Sequence, residues 1–133
     1  ETALLSGSDI PILLSTPPEV IAGSTRLGAG TAQKIALNMM STLMGVLLGH
    51  VVDGLMVNVI ANNEKLFRRA EDIVMQVIGC DRSTAATSLK ETSGSVKEAA
   101  LIASGAKDYG EALSLLEASD GNLRTALKTL RWV

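Results

Sequence analysis

A glycine-rich loop that leads into a long uncharged segment restricts the fold of this chain most strongly. The loop follows the proline pair at 17 and 18, and it contains Gly23, Gly28 and Gly30. Proline ends a preceding element because it lacks an N–H group and fixes its own φ. Glycine permits tight turns because it has no Cβ atom. Hydroxyl side chains in the loop can cap a helix, and we predict that this helix begins near Thr31.

The helix that follows is apolar on most of its faces. Residues 35–49 carry no charge, and only a few polar residues and glycines interrupt them. The run is shorter than the roughly 20 apolar residues that span a bilayer, so we predict no membrane partner. A helix that is apolar on most faces is buried. We therefore expect it to end near Gly49 and to lie in a central core or at a subunit interface.

The loop is also a possible anion site. Its backbone N–H groups, the hydroxyls of Ser24 and Thr25, and the start of a helix are groups that bind phosphate in proteins. An ordinary connection between a strand and a helix has the same spacing of residues. The spacing alone favours this simpler interpretation.

The residues before the prolines predict one short strand. Residues 1–8 are typical of a frayed connector, and the apolar run 10–14 predicts a strand that Pro11 restricts to an edge or to its first residue. A single strand is not stable alone, so its neighbours would come from residues upstream or from another chain. The chain also begins without an initiator Met or a secretory signal, and we expect it to be part of a longer protein.

A second helix with a basic face is predicted from Asn62 or Asn63, which would cap it, to about Ile78, and Gly79 would end it. Before this helix, Asp53-Gly54 predicts a turn. Lys65 and Arg69 are four residues apart and share one face. Two like charges on one face are mildly unfavourable unless an anion lies between them, where charge-assisted hydrogen bonds contribute about 1.5–3 kcal/mol each. The pattern alone favours a solvated basic face.

The last third of the chain contains an internal repeat. Residues 89–99 align with residues 116–126, and each copy predicts a helix end, a glycine turn and a capped helix start. Ser95 and Glu98 have the spacing of a capping box, and Asn122 can cap the second copy. We therefore predict a small helical bundle over residues 80–133.

Composition excludes several classes of function. The net charge of −2 argues against a nucleic-acid partner. One cysteine, Cys80, cannot form an internal disulfide, which is typical of a reducing cytoplasm, and we expect it to be partly buried. His50 lies near a helix end and could act in acid–base chemistry, although a structural role is favoured. One His and one Cys form no recognisable metal-ligand set, and no cofactor motif is present.

Several runs together resemble a known family. They are Glu19-x-x-x-Gly-Ser-Thr-Arg-Leu, Gly-Thr-Ala-Gln-Lys at 30–34, Leu-Asn-Met-x-Ser-Thr at 37–42, Leu-Met-Val at 55–57 and Asn-Glu-Lys-Leu at 63–66. These runs resemble the N-acetylmuramic acid 6-phosphate etherases, whose sugar-phosphate relatives include the glucokinase regulatory protein. The resemblance covers nearly the whole chain.

The resemblance implies a mainly α chain in two parts. Residues 1–60 would be the C-terminal part of a sugar-isomerase (SIS) domain, with the strand 10–14 and the following helix as its last elements. Residues 61–133 would be a helical C-terminal domain whose bundle, from about residue 80, is similar to ubiquitin-associated (UBA) domains. Such a bundle can bind other proteins, but a structural cap on the sheet domain or on a sister subunit is favoured.

The resemblance also implies an activity and two alternatives for it. An etherase of this family is a cytoplasmic, homodimeric carbon–oxygen lyase of cell-wall amino-sugar recycling. It converts N-acetylmuramic acid 6-phosphate to N-acetylglucosamine 6-phosphate and D-lactate. Its catalytic glutamates are expected upstream of Glu1, so this chain is predicted to contain no catalytic residue and to be inactive alone. The alternative is a non-catalytic sugar-phosphate regulator, which would lack those glutamates.

Five substrate-binding residues follow from the resemblance. In the regulatory branch, the residues matching Lys65 and Arg69 contact the bound sugar phosphate. Two roles are open for Ser24 and Thr25, a hydrogen bond to the substrate or fixing of the loop. Three are open for Glu19: contact with a sugar hydroxyl, action as an auxiliary base, or acceptance of backbone N–H groups. Gly28 stands where the family commonly has Lys, and Asn58 replaces a frequent Asp. These two departures leave the exact substrate open.

Overall fold

A computed structural model describes residues 2–130, and this part of the chain is mainly helical, as predicted. Its elements in chain order are α1 Ala3–Ser6, α2 Gly28–Leu47, β1 Val51–Val52, β2 Leu55–Met56, α3 Glu64–Ile78, α4 Arg82–Glu91, α5 Val96–Ala103, α6 Tyr109–Glu117 and α7 Leu123–Leu130. The chain divides into two compact units, Glu1–Leu43 and Met44–Val133. The boundary predicted at residue 60 concerns domains of a longer protein and stays a prediction.

The first unit lacks the predicted strand. Residues 11–14 belong to no helix or strand, and Ile10 and Leu13 are 81% and 75% exposed. The prediction was wrong for this chain because a strand needs a hydrogen-bonded neighbour, and no residue of the described part pairs with this run. The predicted connector 1–8 also contains one helical turn, α1. After this turn, the hydroxyl of Ser8 donates back to the carbonyl of Leu4 at 2.6 Å.

Helix α2 begins at Gly28, three residues before the predicted start at Thr31, and it ends at Leu47. The start moves because Glu19 accepts hydrogen bonds from the first backbone N–H groups of the helix. No residue of α2 is buried in the described chain. The prediction that α2 lies in the core of this chain was therefore wrong, whereas a subunit interface stays a prediction.

The second unit opens with a β-hairpin. Strands β1 and β2 are antiparallel, with Val51 opposite Met56 and Val52 opposite Leu55. The connecting residues Asp53 and Gly54 have φ of 49° and 80°, and two consecutive positive φ values are typical of the type I′ turn, which matches the twist of the strands. The turn predicted from Asp-Gly is confirmed.

Helix α3 begins and ends where its caps predict. The side chain of Asn63 accepts from the N–H of Leu66 at 3.0 Å, and Gly79 ends the helix with φ of 79° and an N–H donated to the carbonyl of Met75. Cys80 follows at a partly buried position against the core, as predicted. One face of α3, which includes Ala70, Ile73 and Val74, is buried.

The core of the second unit consists of small aliphatic side chains. Helix α5 packs against α3, α4, α6 and α7, and it buries Val96, Ala99, Ala100 and Leu101. Every buried apolar side chain of the described chain is Ala, Val, Leu or Ile. The small side chains let short helices approach closely, which explains how a chain with few aromatic residues forms a dense core.

The predicted repeat is confirmed in the backbone. Ser93 and Gly94 have φ of 52° and 87°, and their equivalents Asp120 and Gly121 have φ of 51° and 71°. The N–H of each glycine donates to the carbonyl five residues earlier, at 2.7 Å for Gly94 and 2.8 Å for Gly121. Two helical hairpins, α4–α5 and α6–α7, therefore share the same turn.

The two helix starts after these turns differ. The side chain of Asn122 accepts from the N–H of Thr125 at 3.2 Å, as predicted. The predicted capping box does not form, because the hydroxyl of Ser95 donates to the carboxylate of Glu98 and accepts no backbone N–H. Ser95 instead lies in a β-bridge with Ile60, which fixes this turn against the segment that precedes α3.

Within residues 2–130, no helix has the combination of length and apolar character that crossing a membrane requires.

Candidate functional site

The exposed face of α3 carries the predicted cation pair. Lys65 lies in the first turn of α3 and Arg69 one turn later, and both side chains are exposed. Residues four apart in a helix place their Cβ atoms about 5–6 Å from each other on one face. Both cations can therefore reach a single anion.

Neighbouring charges on this face are already paired. Arg68 donates to the Oε1 atom of Glu64 at 2.6 Å, in an exposed i,i+4 pair. Arg82, in the first turn of α4, donates to Glu71 at 2.7 Å and to Asp72 at 2.6 Å. These bonds raise the pKa of Arg82, chiefly through Glu71 and then through Asp72. One guanidinium thus joins two adjacent carboxylates of α3 to the start of α4.

Lys65 and Arg69 have no such partner. Neither side chain forms an ion pair with any carboxylate of residues 2–130, and neither donates a hydrogen bond there. By contrast, Arg68 is exposed but paired with Glu64. The two cations singled out by the sequence are those left available on this helix.

These side chains line an open groove of about 530 Å³. Its lining residues are Glu64, Lys65, Arg68, Arg69 and Asp72. Three cations and two carboxylates face the groove, and both carboxylates are held by arginines. The charge that remains is positive, so the groove is suited to a small anion such as a phosphate group.

The start of α2 is capped by a side chain of the loop itself. The Oε1 atom of Glu19 accepts from the N–H groups of Gly28 at 2.9 Å and Ala29 at 3.2 Å. A carboxylate stabilises a helix N-terminus because it complements the positive end of the helix dipole. The position that a phosphate would take at this helix start is therefore filled by Glu19.

The two hydroxyl residues of the loop stand before this helix. Ser24 closes a turn by donating its N–H to the carbonyl of Ile21 at 3.0 Å, and the carbonyl of Thr25 accepts from the N–H of Gly30 at 2.8 Å. Within residues 2–130, neither hydroxyl has a hydrogen-bond partner. Their backbones fix the loop, and their side chains remain available.

His50 has a structural contact through its backbone. Its carbonyl accepts from the N–H groups of Val57 and Asn58 at 2.9 and 3.4 Å, which closes the base of the hairpin. In the described part of the chain, no three His, Cys, Asp or Glu side chains are grouped in a way that could hold a metal ion.

Sequence reasoning missed the role of Arg82 and Asp72 beside this groove. The sequence contains the glycine that ends α3 and the two acidic residues, but it does not show that they pair with Arg82. The left-handed cap at Gly79 lets α4 fold back toward α3. The adjacent acidic residues 71 and 72 of α3 then face the first turn of α4. The spacing of ten and eleven residues has no helical periodicity, so it does not indicate an ion pair.

No known family profile matches the chain. Curated proteins named N-acetylmuramic acid 6-phosphate etherase do match it. The protein from Prochlorococcus marinus strain NATL1A is 48% identical over 90% of this chain, and the one from Pseudothermotoga lettingae is 46% identical over 91%. The protein from Deinococcus radiodurans is 46% identical over 93%. This chain matches the C-terminal portion of the N-acetylmuramic acid 6-phosphate etherases.

The match to the etherase family covers only part of each relative. The chain spans 39–41% of the length of these three proteins, and it corresponds to their C-terminal portion. All three are named as etherases, which supports the etherase branch.

Proposed function

We propose that this chain is the C-terminal part of an enzyme that cleaves the lactyl ether of N-acetylmuramic acid 6-phosphate. The products are N-acetylglucosamine 6-phosphate and D-lactate. The observation that carries the proposal is the identity of 46–48% to proteins named as etherases over about nine tenths of the chain. The reaction is an elimination followed by addition of water, and a general base removes the proton at C2.

The chain contributes to substrate binding in this proposal, and the catalytic glutamates lie upstream. Lys65 and Arg69 bind the phosphate group, because they are exposed, share one face of α3 and form no ion pair within residues 2–130. Ser24 and Thr25 donate hydroxyl hydrogen bonds to the same ligand. Glu19 supports the loop by holding the start of α2, and its second carboxylate oxygen reaches a sugar hydroxyl.

The exposed apolar face of α2 supports a proposed architecture for the longer protein. Leu37, Met39, Leu43 and Leu47 are each more than half exposed, and burying such side chains contributes about 1.5–3 kcal/mol each. In a cytoplasmic homodimer, α2 packs within the SIS domain and against the second subunit. The run 10–14 joins the sheet of the SIS domain. The bundle α4–α7 is then the UBA-like C-terminal part, acting as a structural cap.

Release of D-lactate tests the activity directly. We expect the full-length protein to release one D-lactate for each N-acetylmuramic acid 6-phosphate consumed, measured with a coupled D-lactate dehydrogenase assay. We expect residues 1–133 alone to release none, because the proposed base is not among them. Tight binding of the sugar phosphate by the full-length protein without any D-lactate would contradict the lyase and favour the regulator.

A further inference from the structure

The geometry points to Arg82 as a positioning residue that keeps Asp72 from neutralising the phosphate-binding pair Lys65 and Arg69. This inference rests on the proposed function of that pair. Arg82 lies on α4, outside the residues that line the groove, and its guanidinium bonds to Asp72 at 2.6 Å. It therefore acts on the anion site only through the carboxylate that it holds.

Asp72 is the carboxylate best placed to occupy Arg69. It lies three residues after Arg69 on the same helix, a spacing at which opposite charges pair. It also lines the groove together with Arg69. The observed partner of Asp72 is nevertheless Arg82, from the next helix, and Arg69 has no carboxylate partner in the described chain.

The other carboxylate that Arg82 holds provides a built-in comparison. Glu71 is bonded to Arg82 at 2.7 Å, has a side chain only 20% exposed and does not line the groove. Glu71 and Asp72 therefore carry the same charge and share the same arginine, but only Asp72 faces the cations. If Arg82 affected anion binding only through its charge, removing either carboxylate would have the same effect on that binding.

Arg82 suits this role because of its shape as well as its charge. Its planar guanidinium presents several N–H donors in a fixed fork, so two nitrogens can bond to two carboxylates at once. The atoms Nη1 and Nη2 bond to Glu71 and Asp72, respectively. A lysine at this position would keep the charge but would present a single nitrogen.

The test measures binding of N-acetylglucosamine 6-phosphate to the full-length protein by isothermal titration calorimetry at low salt. We expect Arg82→Gln to weaken binding about twofold, the size expected when one exposed helical ion pair competes for a cation. Adding Asp72→Asn to this variant should restore the affinity. Adding Glu71→Gln instead should not restore the affinity. Both double variants lack Arg82 and have the same net charge, so they differ only in which carboxylate is removed.

The variant Lys65→Gln/Arg69→Gln separates this inference from the proposed function. If that variant binds as tightly as the unmodified protein, Lys65 and Arg69 do not bind the phosphate. The inference about Arg82 then fails as well. If it binds weakly but Arg82→Gln binds normally, only the inference is overturned. Equal rescue by the two second substitutions would also overturn it, because net charge alone would then explain the effect.

Discussion

Replacement of both Lys65 and Arg69 by glutamine is expected to raise the KM of the full-length enzyme about a hundredfold. Each cation is proposed to make a charge-assisted hydrogen bond to the phosphate, and such bonds contribute about 1.5–3 kcal/mol. The lower end applies because both side chains are exposed, and it corresponds to about tenfold for each residue. The value of kcat should change little, because the phosphate is bound alike in the substrate and in the transition state.

Arg68→Gln is the matched control for this variant. Arg68 lies on the same helix, lines the same groove and is paired with Glu64. Its replacement removes one positive charge, as does a single substitution at Lys65 or at Arg69. We expect its KM to change by less than about threefold, because an exposed pair of this kind contributes only about 0.3–0.5 kcal/mol. An Arg68 variant as impaired as either single variant, Lys65→Gln or Arg69→Gln, would show that the groove acts through its total charge and not through the two predicted residues.

Gly94→Ala is expected to destabilise the second unit by about 3 kcal/mol or more. Gly94 has φ of 87°, and a Cβ atom built on it would lie 2.3 Å from the carbonyl oxygen of Ala61. That oxygen belongs to the backbone, so the segment before α3 would have to move, and the hydrogen bond from the N–H of Ala61 to the carbonyl of Gly94 would be strained. Overpacking of this kind costs about 1–3 kcal/mol, in addition to about 1–2 kcal/mol for a side chain in the left-handed region.

Gly121→Ala separates these two contributions. Gly121 occupies the same place in the second copy of the repeat with φ of 71°, but the nearest atom to an added Cβ is the Nζ atom of Lys97 at 3.9 Å. We expect a loss of only about 1–2 kcal/mol, from backbone conformation alone. Urea unfolding followed by far-UV circular dichroism measures both losses. Equal losses at the two glycines would contradict the close contact between Gly94 and Ala61.

Local signals in the sequence predicted much of the second unit. The Asn63 cap, the helix end at Gly79 and the Asp53-Gly54 turn each depend on residues close together in the chain, and each is present. The repeat also predicted two turns with the same backbone conformation. Side-chain preferences at caps and turns act over three or four residues, so they can be identified without knowledge of the tertiary fold.

Predictions that depended on distant partners were less successful. Run 10–14 has the composition of a strand but no neighbour in this chain to pair with. Helix α2 has the composition of a buried helix but exposes its apolar side chains. Both patterns describe surfaces that need a second element, and the sequence of one segment does not specify where that element lies. The bridge from Arg82 to Glu71 and Asp72 was missed for the same reason.

The candidate site was predictable in part. Lys65 and Arg69 could be selected by their spacing and by the family resemblance. The pairing of Arg68 with Glu64, which leaves those two cations available, required coordinates. Capping of α2 by Glu19 was one of several alternatives for this residue, and its contacts with Gly28 and Ala29 favour a supporting role for the carboxylate.

A crystal structure of the full-length protein with N-acetylglucosamine 6-phosphate would locate the phosphate group relative to α3. We expect phosphate oxygens within about 3 Å of the Nζ atom of Lys65 and of a guanidinium nitrogen of Arg69, the distance of a charge-assisted hydrogen bond. The hydroxyls of Ser24 and Thr25, from the same or a neighbouring subunit, should contact the same ligand. A phosphate bound elsewhere, with Lys65 and Arg69 both in solvent, would contradict the account.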